Sequence, residues 1–130
     1  MREILFRGKR TDNGEWVYGD LIQNVDCLKI REQEKSIKKI AKSYEVDLET
    51  VGQFTGLLDK NGKKIFEGDI VLGLFLFDMS INAVVKFRDG AFGLEWHRGE
   101  IIEFNAFTSL CNITYEIIGN IYDNPELLEG

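Results

Sequence analysis

The chain has 130 residues and a mass of 14.9 kDa, a size that a single domain with a full hydrophobic core commonly has. Hydrophobic residues make up 44% of the sequence and charged residues 29%, which excludes a wholly disordered chain and a fibrous repeat. No apolar run is long enough to cross a membrane or to direct secretion, so we expect a cytoplasmic protein without membrane contacts.

The charge is unevenly distributed along the chain. The 16 Lys and Arg against 22 Asp and Glu give a net charge of −6, which argues against a dedicated nucleic-acid binder. Residues 1–64 carry 13 basic and 11 acidic side chains, a net +2, whereas residues 65–130 carry 3 and 11, a net −8. This asymmetry would let copies of the chain pair head to tail; the alternative is that both halves expose solvated charge.

The first predicted element is an N-terminal β-hairpin. Residues 4–8 and 15–22 are rich in β-forming side chains and flank Thr11-Asp12-Asn13-Gly14. Asn-Gly supplies the positive φ angles of a tight turn, so a hairpin is the simplest explanation.

Residues 31–44 show the spacing of an amphipathic helix. Ile37, Ile40, Ala41 and Tyr44 stand at i, i+3, i+4 and i+7, so a possible helix is predicted over residues 31–44. The stretch is short, however, and tertiary pairing could instead draw residues 39–46 into a strand.

The rest of the chain predicts strands that recur every 8–12 residues, separated by glycine turns. Strand candidates cover residues 51–58, 65–72, 82–87, 91–96, 101–104 and 113–122, and Asp123-Asn124-Pro125 predicts a short C-terminal helical turn. The predicted fold is therefore mainly β: a small, barrel-like antiparallel domain over residues 1–130. Within it, a possible division separates an N-terminal lobe (1–48) from a barrel-like lobe (49–130).

Residues with catalytic or metal-binding chemistry do not cluster in the sequence. Cys27 and Cys111 lie 84 positions apart and His97 is the single histidine, so we expect neither a metal nor another cofactor. Glu67 and Asp69 alternate on an extended chain and share one face. They could act as a general acid–base pair or hold Mg²⁺ in a hydrolase, or they could form a solvated rim at the start of a strand.

The front of the chain interleaves basic and aromatic side chains. Arg7, Lys9 and Arg10 precede Trp16 and Tyr18, and these five residues form a candidate interaction surface. Aromatic rings beside cations are typical of proteins that hold single-stranded nucleic acid, although acidic residues share the same segments.

A second set of residues carries a family resemblance. Val-Gly-Gln-Phe-Thr-Gly-Leu at 51–57, followed by Asp-Lys-Asn-Gly-Lys-Lys-Ile-Phe-Glu-Gly-Asp-Ile-Val at 59–71, closely resembles the signature of the YopX family, small proteins encoded by phages and prophages. Residues 1–8, 16–21 and 118–128 are similar to the family too. The signature positions are Gly52, Phe54, Thr55, Gly56, Asp59, Asn61, Gly62, Glu67, Gly68 and Asp69. Most of them are glycines in turns or side chains of the core, so the signature describes the shape of the fold and indicates no particular reaction.

The resemblance implies a mainly β fold, a phage context and self-association, and it brings no catalytic residue with it. We therefore expect a non-enzymatic phage or prophage accessory protein that forms homo-oligomers and binds a host or phage protein. The first alternative is a small β protein that binds nucleic acid. The second is a metal-dependent hydrolase that uses Glu67 and Asp69.

Overall fold

The computed structural model describes residues 2–33, 41–74, 80–109 and 114–128 and shows a mainly β protein, as predicted. The chain divides into two compact units, Met1–Gly56 and Leu57–Gly130. The strands are β1 (Phe6–Lys9), β2 (Trp16–Gln23), β3 (Leu28–Arg31), β4 (Ser43–Val46), β5 (Gly52–Leu58), β6 (Lys64–Phe66), β7 (Asp69–Leu74), β8 (Ser80–Arg88), β9 (Ala91–Arg98), β10 (Ile101–Ala106) and β11 (Thr114–Asn120). Short 3₁₀ turns lie at Leu48–Thr50, Phe107–Ser109 and Pro125–Leu128.

The first unit is one antiparallel sheet in the order β4-β3-β2-β1-β5. Its buried core consists of Val17, Ile30 and Val46, with half-buried aromatic and aliphatic side chains around them. The three come from three different strands on the same sheet face, because alternate residues of a strand point to the same side. The packing therefore holds the sheet in a single register.

The predicted N-terminal hairpin is confirmed. Lys9 lies opposite Trp16 across β1 and β2, and Gly14 in the connecting turn has a φ of 73°. The Asn13 side chain supports the turn by accepting a hydrogen bond from the backbone N–H of Glu15 at 2.9 Å.

The predicted helix at 31–44 is wrong at both of its ends, where the structure describes the chain. Arg31 belongs to β3 and lies opposite Ser43 of β4, and Ile30 lies opposite Tyr44. The strand alternative for residues 39–46 is correct at 43–46, because pairing with β3 and burial of Val46 outweigh a short helical pattern. Ile37 and Ile40 lie outside the described residues.

The second unit is built on a five-stranded antiparallel sheet in the order β10-β9-β8-β7-β11. Strand β5 passes into this unit after Gly56, and β6 lies beside it at the end of the other sheet. The core of the unit contains Ile65, Val71, Val85 and Leu94, each at most 1% exposed.

The barrel-like part of the fold prediction needs correction. In the described part of the chain both sheets are open, one ending in β4 and β6 and the other in β10 and β11. A single bridge joins Arg10 to Val46, but closing a barrel requires continuous pairing between tilted, staggered strands.

The predicted C-terminal helical turn is confirmed at Pro125–Leu128, where the Leu127 N–H donates to the Asn124 carbonyl at 3.1 Å. No helix within the described ranges has the length and apolar character needed to cross a membrane.

Candidate functional site

The central part of the signature builds a turn around a buried carboxylate. Asp59 is only 6% exposed, and its Oδ1 accepts hydrogen bonds from the backbone N–H groups of Asn61 (2.8 Å) and Lys63 (2.9 Å). Its Oδ2 accepts a third bond, from the Ile117 N–H at 3.1 Å, and so ties the turn to β11. Gly62 has a φ of 81° in the same turn.

The electrostatics of Asp59 follow from these contacts. Burial on its own raises the pKa of a carboxyl group. Here the backbone donors at Ile117, Lys63 and Asn61, together with the charge of Lys63, outweigh burial and lower the pKa of Asp59 below its ordinary value. The carboxylate is therefore held ionised as an acceptor of backbone hydrogen bonds, which is a structural role.

The Glu67-Gly68-Asp69 segment forms the bend between β6 and β7. Asp69 is 3% exposed, and its Oδ2 accepts a hydrogen bond from the Phe66 N–H at 2.8 Å. Gly68 has a φ of 89°, and its N–H and carbonyl are bonded to the Val85 carbonyl and the Ile121 N–H, both at 2.9 Å. Glu67 is half-buried. The two acids predicted as a pair thus differ in exposure, and Asp69 is held by the backbone of its own bend.

The other signature residues lie along β5 and its turn. Gly52 and Phe54 are buried, Thr55 is half-buried, and Gly56 is exposed with a φ of 89°. Gly52 lies opposite Arg7 of β1. Within the described ranges, His, Cys, Asp and Glu side chains do not gather in groups of three or more that could hold a metal ion.

The structure brings four of the five predicted surface residues to one face of the β1–β2 hairpin. Arg7 and Lys9 lie opposite Tyr18 and Trp16, and the guanidinium of Arg7 and the ammonium of Lys9 lie 4.6 and 5.5 Å from the centre of the Trp16 ring. The exposure of these side chains differs: Arg7 is only 6% exposed, whereas Tyr18 is 46% exposed.

Arg10, the fifth residue, has separate partners. Its guanidinium lies 4.2 Å from the centre of the Tyr44 ring and donates two hydrogen bonds to Asp12, at 2.9 and 2.6 Å. These bonds raise the pKa of Arg10 and lower the pKa of Asp12. In the predicted surface, therefore, each of the three cations packs on an aromatic ring, and Arg10 is also paired with Asp12.

A cleft of about 690 Å³ in the first unit was not predicted from the sequence. It opens between three parts of the unit: residues 9–11 and 14 at the β1–β2 turn, residues 24–28 at the β2–β3 turn, and residues 45–48 at the end of β4 and just after it. Val25 and Leu48 line it and are 103% and 69% exposed, while Val46 is buried beneath. Cys27 also lines the cleft and is half-buried.

A second unpredicted feature is the strand at one end of the second sheet, within the part of the chain that the structure describes. Strand β10 pairs with β9 on one side and is the last strand of its sheet. It begins with Ile101 and Ile102, which are 64% and 55% exposed. The sequence predicted a strand over residues 101–104, but it did not indicate that this strand would lie at an edge.

Taken together, these features define a small β protein of two sheets whose sequence signature builds a turn and a bend. The YopX protein family model matches residues 5–129, and the chain belongs to that family. The resemblance drawn from the sequence is thereby confirmed.

Two solved structures share the fold. The crystal structure of protein EF1440 from Enterococcus faecalis has a TM-score of 0.60 and 24% identity, covering 98% of this chain and 99% of the other. The crystal structure of protein yopX from Bacillus subtilis has a TM-score of 0.62 and 22% identity, covering 95% and 97%. A search of curated proteins finds no match to the chain.

Proposed function

We propose that this chain is a non-enzymatic interaction module that associates with copies of itself through the edge strand β10. The observation that carries the proposal is the pair of consecutive exposed isoleucines, Ile101 and Ile102, at the start of an edge strand. An edge strand presents unpaired N–H and C=O groups to any strand that can lie beside it, and apolar side chains add to that attraction.

The geometry of β10 favours an isologous contact. Two copies of an antiparallel edge strand can pair about a two-fold axis, so that each contributes the same surface. Alternate residues of β10 point to opposite faces, which places Ile101 on one side of such a joined sheet and Ile102 on the other. When two copies pair, four isoleucine side chains are buried, two on each face of the joined sheet. The burial of their apolar surface stabilises the contact by about 25 cal/mol per Å².

The alternatives have weaker support in the geometry. Asp69 already accepts a backbone hydrogen bond in a buried bend, which disfavours the hydrolase that would use Glu67 and Asp69. Stacking of nucleic-acid bases needs accessible ring faces, and the Trp16 ring already has Arg7 and Lys9 packed against it. A phage or prophage setting and a host or phage protein as further partner belong to the same proposal and rest on the family membership. A cytoplasmic location belongs to it too and rests on the apolar runs of the sequence, which are all short.

The test is the molar mass of the full chain by size-exclusion chromatography with light scattering. We expect a multimer for the natural sequence and a lower mass for I101E/I102E, because burying two carboxylates in place of two aliphatic side chains on each β10 disfavours the contact. The matched control is Ile4→Glu, which changes an isoleucine that is 49% exposed and lies in the other unit. A monomer at high concentration, or an unchanged mass for I101E/I102E, would overturn the proposal. The 260/280 nm absorbance ratio across the peak tests the nucleic-acid alternative directly.

A further inference from the structure

We propose that the β10 strands of two copies pair in one particular register, with Phe104 facing its own copy at the two-fold axis. This inference rests on the proposed function and deepens it, because it states which residues of the two copies face each other. It is carried by the direction of the backbone groups of β10, by the charge of Glu103 and by the order of apolar and polar side chains along the strand.

The two ends of the second sheet differ in how their backbone groups are bonded. At the β11 end, the Lys60 N–H donates to the Tyr115 carbonyl at 2.9 Å, and the Ile117 N–H donates to Asp59 at 3.1 Å. The turn that Asp59 stabilises therefore already occupies this edge of the sheet. Strand β10 pairs with β9 and with no other strand in the described part of the chain. A further strand is therefore accommodated at β10 rather than at β11.

The turn between β9 and β10 determines which backbone groups of β10 point outward. Only Gly99 and Glu100 separate the paired residues Arg98 and Ile101, and Gly99 has a φ of 63°, which suits the first position of a type II′ turn. The residues that flank such a turn exchange hydrogen bonds with each other, and bonded and non-bonded pairs alternate from there along the ladder. The residues of β10 whose N–H and C=O groups point away from β9 are therefore Ile102, Phe104 and Ala106.

These outward-pointing groups must meet those of the second copy, which leaves two registers that pair most of the strand. In the first register Glu103 faces its own copy and Ile102 faces Phe104, so Ala106 lies beyond the paired residues. In the second register Phe104 faces its own copy and Ile102 faces Ala106, so every outward-pointing residue of β10 enters a hydrogen-bonded pair. The second register therefore satisfies more of the backbone at the edge.

The charge of Glu103 favours the same register. In the first register the two Glu103 side chains lie directly opposite each other in a pair without backbone hydrogen bonds, where the Cα atoms are only about 4.5 Å apart. Like charges in that position destabilise a sheet. In the second register Glu103 faces Asn105 of the second copy, and the amide of asparagine is a hydrogen-bond donor for a carboxylate. Glu103 therefore disfavours the first register and, together with Asn105, supports the second.

The apolar side chains of β10 also match in the second register. Ile102, Phe104 and Ala106 lie on one face of the strand, because alternate residues share a face. A two-fold axis perpendicular to the sheet keeps this face, so the apolar side chains of both copies form one row with the two phenylalanine rings in its middle. Ile102 is 55% exposed and the other two are half-buried, so pairing removes further apolar surface from water. The strand is thus complementary to itself, which selects a second copy of this chain as its partner.

The register is tested by disulfide crosslinking of the full chain. In E103C/N105C, each new cysteine faces the other new cysteine of the second copy, at a Cα distance of about 4.5 Å that permits a disulfide. We expect a covalent dimer on oxidation with copper phenanthroline, and mass spectrometry should identify a bond between positions 103 and 105. Glu103→Cys alone should stay monomeric in denaturing gels, because the two copies of position 103 are diagonal neighbours about 7–8 Å apart.

The matched control places the same kind of cysteine pair on another end strand. S43C/E45C changes two exposed residues of β4, which are also two positions apart and also include one glutamate. It should form no covalent dimer under the same conditions. The natural chain, which contains Cys27 and Cys111, is oxidised in parallel to give the background.

A second measurement uses the Kd of the dimer, obtained from light scattering over a range of protein concentrations. Asn105→Lys should lower the Kd and Asn105→Asp should raise it, each by roughly threefold or more, because position 105 faces Glu103 twice in the symmetric pair. In the first register position 105 faces Ile101 instead, and the two substitutions would not have opposite effects. Asn61→Lys and Asn61→Asp are the controls, since they make the same charge changes on an exposed asparagine of the same unit and should leave the Kd unchanged.

Four results would overturn the proposed register: a covalent dimer of Glu103→Cys alone, no covalent dimer of E103C/N105C, equal crosslinking of S43C/E45C, or effects of Asn105→Lys and Asn105→Asp in the same direction. Each of them is compatible with a natural chain that is a dimer and that I101E/I102E dissociates. Failure of the register is therefore distinct from an unchanged mass for I101E/I102E, which overturns the proposed function itself.

Discussion

At the scale of single residues, the carboxylate of Asp59 is held by the backbone of two parts of the chain. Three backbone N–H groups donate to it, and one of them, from Ile117, comes from a strand 58 positions further along the chain. Removing such an acceptor leaves several buried donors without their partner, which costs more than the net value of the bonds. Asp59 therefore stabilises the turn as a capping residue stabilises the end of a helix, by accepting hydrogen bonds from backbone N–H groups.

We predict that Asp59→Ala lowers the free energy of unfolding by roughly 3 kcal/mol, because it removes hydrogen bonds to a charged acceptor and leaves their donors unsatisfied. Urea unfolding monitored by tryptophan fluorescence at pH 7 measures the change. Asp12→Ala is the control, since Asp12 is an exposed partner of Arg10 and its loss should change stability little. Equal effects of the two substitutions would contradict the structural role given to Asp59.

The same residue predicts the sign of a pH dependence. The folded state lowers the pKa of Asp59 below its ordinary value of 3.8, so the unfolded chain binds more protons between the two values. The contribution of Asp59 is then complete above the unfolded pKa and is lost as the pH falls through the folded one. The stability difference between the natural chain and Asp59→Ala should accordingly shrink when the urea titration is repeated near pH 3.

At the scale of elements, the bend between β6 and β7 depends on one glycine. Gly68 has a φ of 89°, and a Cβ placed on it would lie 3.0 Å from Cε2 of the Tyr122 ring. Gly56 has the same φ of 89°, but among the described residues no atom beyond its chain neighbours lies within 4 Å of the corresponding Cβ position. Comparing a substitution at Gly56 with one at Gly68 therefore separates the free-energy cost of a left-handed backbone from the cost of a close contact.

We predict that Gly56→Ala destabilises the chain by about 1–2 kcal/mol through backbone strain alone. Gly68→Ala should cost about 1 kcal/mol more, because the tyrosine ring or the bend must also move. Urea unfolding of the two variants gives the comparison. If Gly56→Ala proves as damaging as Gly68→Ala, the contact with Tyr122 does not constrain the bend.

Local signals in the sequence predicted some elements well and others badly, for physical reasons. Asn13-Gly14 fixes its hairpin because a tight turn and two alternating strands lie within about 20 residues and need no distant partner. Residues 43 and 44 end the segment with helical spacing, yet they lie in β4, which pairs with β3 and buries Val46. Marginal helix propensity in a short segment is readily outweighed by sheet pairing.

The candidate sites could not be predicted in the same way. The cleft is lined by three separate parts of the chain, residues 9–11 and 14, 24–28 and 45–48, which are brought together by the order of the strands. The exposure of Ile101 and Ile102 likewise depends on β10 being the last strand of its sheet. Apolar periodicity identifies strands, but it does not determine which strand lies at an edge.

At the scale of the whole molecule, the symmetry of the proposed contact limits the assembly. Pairing of β10 with β10 is isologous, so each copy offers the same surface to its partner. Because that contact occupies β10 of both copies, an assembly held by β10 alone closes at two copies.

We therefore predict specific masses by light scattering. The natural chain should have twice the mass of 14.9 kDa, and I101E/I102E should return it to 14.9 kDa. The mass should stay the same as the protein concentration is raised further, because a closed isologous pair leaves no second copy of the contact exposed. A mass that corresponds to three or more copies, or a dimer that survives I101E/I102E, would contradict pairing through β10 alone.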